Sequence, residues 1–328
     1  MKTKWFWILT LAAAALAVLS CCVGKYPISP AQLWQILTGA GEESSAAGVF
    51  WQIRLPRVVL TMCSGAALAL SGLVYQGIFR NPLASPDVLG VGSGCSVGAM
   101  LSILYFGGSA LMGVVLPFAA GLVAVGVALA LSALMKGGRV FGMVIAGIVV
   151  GALCNSVMMM LKYTADPNRD LPVIEYWMMG SFNGVLWSDV ARTVPVMAAA
   201  AAGIMMLRRP LQVLLLGDDE AASLGVSVRT VRLAAVAFAT LLACAVTACA
   251  GLVAWIGLIV PHAVRLLAGE SFRDNLFQVL PAGAVLLLGS DLLARCAFET
   301  ELPVSILTTM FGAAALILFL IRQRRKSG

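Results

Sequence analysis

Charge is scarce in this chain. Asp, Glu, Lys and Arg make up only 11% of its 328 residues, where a soluble domain carries about 25%. From Val88 to Met135 no residue is charged at all. Such a chain cannot clothe its whole surface in charge, so it reads as a polytopic membrane protein. The same scarcity removes nucleic acid as a partner, and the net charge of +7 becomes a question of where Lys and Arg lie relative to a bilayer. There is one histidine, His262, and the eight cysteines include no C-x-x-C pair. Most of those cysteines lie in apolar runs, where a free thiol packs as a small hydrophobe. Neither a metal site nor a disulfide framework is expected. No G-x-x-x-x-G-K followed by Ser or Thr occurs, so the chain has no phosphate-cradling loop and no nucleotide engine of its own.

What is present is apolar. Hydrophobic residues make up 61% of the chain, and the mean hydropathy is +0.97. A helix needs about 20 such residues to cross a bilayer. Ten stretches qualify: 5–23, 58–79, 88–106, 110–135, 140–161, 190–207, 233–250, 252–267, 276–294 and 303–321. The uncharged run 88–135 is too long for one helix and divides at Gly107-Gly108-Ser109. The run after Arg232 divides at Ala250-Gly251. Lys25–Gln52, with Gly39, Gly41, Glu42 and Glu43, reads as a loop, as does Lys162–Asp189, and Arg208–Arg232 is the longest polar stretch after it. Met1-Lys2-Thr3-Lys4, the apolar Trp5–Ser20 and then Cys21 resemble a lipoprotein secretory signal. A chain that stays apolar to its end reads better with an uncleaved first span. Ten spans put both termini on one side. Fifteen of the 22 Lys and Arg then share the side of the termini and seven lie opposite, which makes the termini cytoplasmic. The expectation is one all-α polytopic membrane domain over 1–328, in a bacterial or archaeal cell (inner) membrane. Its two five-span halves would run in opposite senses, as inverted repeats do.

One stretch is dense in small residues. Between Arg54 and Gly98, two runs crowded with Gly, Ala and Ser flank Arg80-Asn81-Pro82-Leu83-Ala84-Ser85-Pro86-Asp87. Helices in lipid associate by close backbone packing at such residues. Pro82 and Pro86 stop one helix and start another. The stretch resembles the FecCD/BtuC-like permeases, the membrane subunits of ABC importers for iron siderophores, cobalamin and haem. The resemblance rests on Arg54-Leu55-Pro56-Arg57, Ser71-Gly72, Gln76, Arg80 through Ala84, Pro86, Gly90, Gly92 and Gly94. It continues to about Leu320 and leaves out the first fifty residues. It implies a type II ABC importer permease of about ten transmembrane helices, working as a homodimer. It further implies two copies of an ABC ATPase subunit, which use the ATP, and a periplasmic or lipoprotein substrate-binding protein. No cofactor is expected on this chain, and no catalytic residue. A ferric siderophore is the first substrate expectation; cobalamin and haem are the alternatives.

The resemblance also assigns residues. Asp218, Asp219 and Glu220 suit the positive end of a short helix, and Gly225 suits its stop. Alone, 214–228 is a solvated loop. Against the family's LGDE-x-A-x-x-LG, Leu216, Gly217, Asp218, Ala221, Leu224 and Gly225 match, with Asp219 in place of Glu. The resemblance makes this the segment that couples to the ATPase. Gly257 to Arg265 matches GLIVPH-x-x-R, which puts Pro261, His262 and Arg265 at the cytoplasmic edge. A lone histidine at a helix end is otherwise a packing residue. Arg54, Arg57 and Arg295 are expected at the outer surface. They are either snorkelling side chains or, by resemblance, bidentate partners for carboxylates of the binding protein. Asp291, four residues before Arg295, could pair with it instead. Glu301-Leu302-Pro303-Val304 matches the family's ELPV, whereas Ser305 and 312–316 depart from its pattern. Trp177, Gly180 and Ser181 match W-x-x-GS and read as an interface belt or an entrance rim.

Two rival classes remain. Gly94-Cys95-Ser96-Val97-Gly98 fits G-x-S-x-G, and with His262 as base it would make an intramembrane serine hydrolase. A small-residue packing face accounts for the same glycines. An ion-coupled secondary transporter needs ionisable groups near the bilayer midplane, and the first eight spans show almost none. The pathway itself is expected to be uncharged, lined by Gly, Ala, Ser and Met.

Overall fold

A computed structural model describes residues 3–39, 44–107, 109, 111–135, 139–297 and 299–326. Lys2, Lys136, Gly108 of the expected turn and Gly41, Glu42 and Glu43 of the first loop lie outside the described residues. The described residues form α-helices and connections, with no strand among them. In chain order the helices are α1 (Thr3–Cys22), α2 (Pro30–Leu37), α3 (Ser45–Val49), α4 (Leu55–Phe79), α5 (Val91–Phe106), α6 (Met112–Leu134), α7 (Arg139–Thr164) and α8 (Asp170–Met178). There follow α9 (Trp187–Met206), α10 (Arg208–Leu214), α11 (Asp218–Ser223), α12 (Val228–Ala250), α13 (Ile256–Ala268), α14 (Phe272–Cys296) and α15 (Val304–Lys326). Seven of them, α1, α4, α6, α7, α9, α12 and α14, are long and apolar enough to cross a bilayer. The other apolar helices, α5, α13 and α15 as far as Phe319, are shorter.

Two of the expected loops contain helices. In Lys25–Gln52, Ser29 caps α2 with a full capping box to Gln32, and Pro30 starts it. Ser44 accepts from the Ala47 amide and opens α3. A π-turn at Phe50–Arg54 then carries α3 into α4 without a break. Arg54 and Arg57 interrupt the apolar run here, which is why the sequence puts the start of this span at Val58. In Lys162–Asp189, α8 follows an Asp166 turn whose carboxylate accepts from the Asn168 and Arg169 amides.

The core forms around α4, which is mostly buried. Its neighbours approach at glycines. A Cβ on Gly65 would strike the Gly283 carbonyl of α14, and one on Gly72 would strike the Gly257 carbonyl of α13. Only hydrogen at these positions lets backbones meet, and close contact is the main attraction between helices in lipid.

Two helices stop part way across. On α5, Gly98 lies against Leu116 and Pro117 of α6, and Gly94 against Ala124. α6 runs on from Ala124 to Leu134, about 15 Å at the helical rise. α5 therefore starts well inside the slab, after a 3₁₀ turn at Pro86–Leu89. α13 likewise starts inside, with Gly257 against Leu68 and Gly72 of α4, and Gly251–Ala254 before it outside any helix. The two breaks meet: a Cβ on Gly92 would touch both Asp87 and Leu252. Arg80 and Trp255 are the non-glycine residues with positive φ among those described, and they sit at these two breaks.

Candidate functional site

At one end of the bundle, α10 and α11 form a short helical pair. Asp218 is the first residue of α11, where its carboxylate suits the helix end. Arg232 of α12 donates to Asp218 Oδ1 at 2.6 Å. Arg80, the left-handed cap of α4, lies 3.7 Å from the same oxygen and donates to the Leu214 carbonyl of α10 at 3.1 Å. One carboxylate thus joins the short pair to the ends of two long helices. Ala221 is fully buried beneath the turn. Leu216 and Leu224 are about two-thirds exposed, at 66% and 64%, with Asp219 and Glu220 exposed beside them. Gly225 has φ +78 and open space around it, as a helix stop requires. An apolar pair ringed by acids makes an exposed knob at this end of the bundle.

Beyond Arg80, the segment 81–89 dips inward. Asn81 closes its first turn by accepting from the Leu83 amide at 2.9 Å. Pro82 and Leu83 are exposed, while Ala84, Pro86 and Gly90 are buried. The segment leads to a cavity of about 390 Å³ between the two breaks, lined by Leu68, Ser85, Asp87, Ser93, Thr247 and Trp255 among others. Asp87 faces this cavity, so this interior space is not lined by uncharged residues alone. The sequence held one signal: Asp87 is the single acidic residue between Glu43 and Asp166. A polar residue beside two prolines reads as a surface hinge, which masks that signal.

The cytoplasmic-edge set divides. Arg265 donates to Gln76 Oε1 at 2.5 Å, and Gln76 donates to the Gly257 and Leu258 carbonyls at 3.3 and 3.1 Å. This chain ties α13 to α4 near the first break. Pro261 is buried within α13. His262 packs edge-on against Phe319, ring centres 3.6 Å apart, in a separate apolar cavity of about 280 Å³. Ser96 is fully buried and donates to the Gly92 carbonyl of its own helix at 2.9 Å. With Ser96 spent on its own backbone and His262 in a different cavity, the serine-hydrolase arrangement is not formed.

The three arginines at the opposite end need correcting. They are not free at a surface: Arg54, Arg57 and Arg295 are 5%, 6% and 7% exposed. Arg54 donates to the Cys21, Val23 and Tyr26 carbonyls at 2.6, 3.0 and 2.5 Å, tying the end of α1 to α4. Arg57 grips both oxygens of Asp291, the closest at 2.8 Å, and Glu301 at 2.9 Å. Arg295 pairs with Asp291 at 3.3 Å and donates to the Ser20 hydroxyl. Each guanidinium is used inside the chain because leaving it unpaired there would cost several kcal/mol. Asp291 was foreseen for Arg295. Its grip on Arg57 crosses 234 positions and no local pattern could give it. Trp177, Gly180 and Ser181 do meet the second break: the Ser181 amide donates to the Ala250 carbonyl at 2.8 Å, and the Val304 amide to the Gly180 carbonyl at 3.0 Å.

The chain resembles known proteins along nearly its whole length. It is 34% identical over 313 residues to the molybdate import system permease protein MolB of Haemophilus influenzae, covering 93% of this chain and 91% of that one. It is 34% identical over 330 residues to the vitamin B12 import system permease protein BtuC of Klebsiella pneumoniae, covering 98% and 94%. It is 35% identical over 324 residues to the Fe(3+)-citrate import system permease protein YfmE of Bacillus subtilis, covering 97% and 95%. A solved structure described as an inward-facing metal-chelate type ABC transporter superposes with a TM-score of 0.88 at 31% identity, covering 98% of this chain and 99% of that one. The FecCD transport family matches residues 11–322. A bundle of apolar helices interrupted at two breaks that meet, with an exposed helical knob fastened to α4 and α12, therefore has its counterpart: the chain is a multi-pass permease subunit of ABC importers and belongs to the FecCD transport family.

Proposed function

We propose that this permease carries an iron chelate, a ferric siderophore first, from a substrate-binding protein to the cytoplasm. The observation that carries the coupling part is the Asp218 junction, through which one carboxylate holds α11, α4 and α12 together. Leu216, Gly217, Asp218, Asp219, Ala221, Leu224 and Gly225 form the knob that an ATPase subunit grips. When two ATPase copies close on ATP, the knob moves, and Arg80 and Arg232 pass the movement to the helices that wall the cavity. The knob and both termini lie on the cytoplasmic side of the inner membrane, and a second copy of the chain completes the pathway. The binding protein docks at the Arg57 end. There Arg54, Arg57 and Arg295 hold the shape of the docking face and present no free charge. Iron is favoured by the name of YfmE and by the metal-chelate description of the superposed structure. Cobalamin, the cargo in BtuC's name, and haem are the other substrates to test.

The test is uptake of radiolabelled ferric siderophore and cobalamin by vesicles holding this chain, its ATPase and its binding protein. The control is an ATPase whose phosphate-loop lysine is replaced. ATP-dependent uptake of the siderophore alone is the expected result. Uptake of cobalamin alone would reassign the cargo. Accumulation that survives the dead ATPase would reject the ATP-driven reading in favour of a secondary transporter.

A further inference from the structure

One acidic side chain faces the cavity between the two breaks. Asp87 is the one charged side chain among the described residues lining it. No hydrogen bond or ion pair to another described residue engages its carboxylate. The remaining walls are hydroxyls, such as Ser93 and Thr247, and apolar groups. Asp87 is open to the cavity and not packed away, and an ionisable side chain within a membrane-spanning bundle usually has a functional use.

Two partial charges oppose it. The first turns of α5 and α13 both line the cavity, through Gly92 and Ser93 and through Gly257 and Leu258. Neither helix has a side-chain cap at its start. Each such end presents about half a positive charge, so the two together roughly balance one carboxylate. Trp255, at φ 73, is the residue just before α13 and lines the same cavity.

We propose that Asp87 sets the charge preference of this cavity. It offsets the two helix ends, so that the cavity admits uncharged or cationic metal chelates and disfavours oxyanions. This rests on reading the chain as the conducting subunit and narrows its cargo. Without the carboxylate the helix ends stand unopposed and the cavity becomes anion-preferring. Charge of one sign between low-dielectric walls changes local ion concentration by 10-fold or more, so the reversal is large enough to measure.

Ser93 lines the same cavity and serves as the reporter. The full chain carrying Ser93→Cys, assembled with its ATPase in nanodiscs, is reacted with two methanethiosulfonates. One reagent bears a trimethylammonium group and the other a sulfonate. Peptide mass spectrometry reads modification at the substituted position apart from the eight native cysteines. The expected result is a cation-to-anion rate ratio about tenfold higher with Asp87 than with Asp87→Asn, and a retained ratio with Asp87→Glu. Asp87→Ser takes the place of Asp87→Asn if the latter does not elute as a single species. Equal ratios with and without the carboxylate would overturn the proposal. So would failure of both reagents to react, because a cavity closed to ions cannot sort them. The labelling needs no transport, so a failed uptake assay and a failed charge filter remain separate results.

Discussion

Arg57 shows how far apart in the chain the partners of one residue can be. Its guanidinium is held by Asp291 and Glu301, and Asp291 also serves Arg295. Removing one member of a buried ion pair strands the other, at a cost of about 3–5 kcal/mol. Asp291→Asn keeps the shape and removes the charge shared by two arginines at once, leaving Arg57 with Glu301 alone and Arg295 with the Ser20 oxygens. A clear drop in the midpoint of thermal unfolding in detergent is expected, close to the upper end of that range. Glu301→Gln, at a side chain 22% exposed, should cost less than half as much. Equal midpoints for wild type and Asp291→Asn would contradict the structural role given to this cluster. The arginines were legible as a matched motif, and their burial was not. Their partners are backbone carbonyls at 21, 23 and 26 and a carboxylate on α14, none of which any spacing near Arg54 encodes.

The elements divide between those that composition reveals and those that it hides. Full-length helices such as α6, α7 and α12 are plain in the sequence because about 20 apolar residues mean one thing. The shorter α5 and α13 have the same composition as whole spans, so nothing local told how deep they begin. The knob was legible as a capped helix from Asp218 to Gly225, but its tether was not, since Arg80 comes from another part of the chain. Asp218→Asn should leave the protein folded and weaken ATP-driven uptake between 5- and 150-fold, the range of ordinary coupling energies. ATP turnover by the ATPase in the same vesicles separates lost coupling from lost assembly: turnover persists while uptake falls. Unchanged uptake would remove Asp218 from the relay. Helix packing offers a paired test. Gly72→Ala drives a methyl into the Gly257 carbonyl, whereas Gly126 on α6 has nothing within 4 Å of its would-be Cβ. Overpacking typically costs about 1–3 kcal/mol, so Gly72→Ala should lower the yield of monodisperse protein and Gly126→Ala should not. Equal yields would mean that α4 and α13 can separate without penalty.

For the whole molecule, the sequence conveyed the number of apolar stretches, and with it the family. The lines of small residues and the spacing around Arg80–Ala84 carried that recognition. The arrangement in which two interrupted helices face each other depends on contacts between residues more than 150 positions apart, as between Gly92 and Leu252. The proposed function puts both termini in the cytoplasm. Epitope tags at the two ends should therefore resist an external protease in intact spheroplasts and be cut together once the membrane is opened. A tag cut from outside at one end would require an odd number of crossings.

The meeting of α5 and α13 inside the slab has an electrical side. A membrane insulates by its thickness, and a recess reaching the middle leaves only part of that thickness to hold the voltage. The field is then steepest across the thin remainder, next to Asp87. One elementary charge moved through 100 mV exchanges about 2.3 kcal/mol, and most of that exchange would fall within a few residues. A neutral cargo crosses this layer indifferent to the membrane potential, whereas a charged one is driven or resisted at that single place.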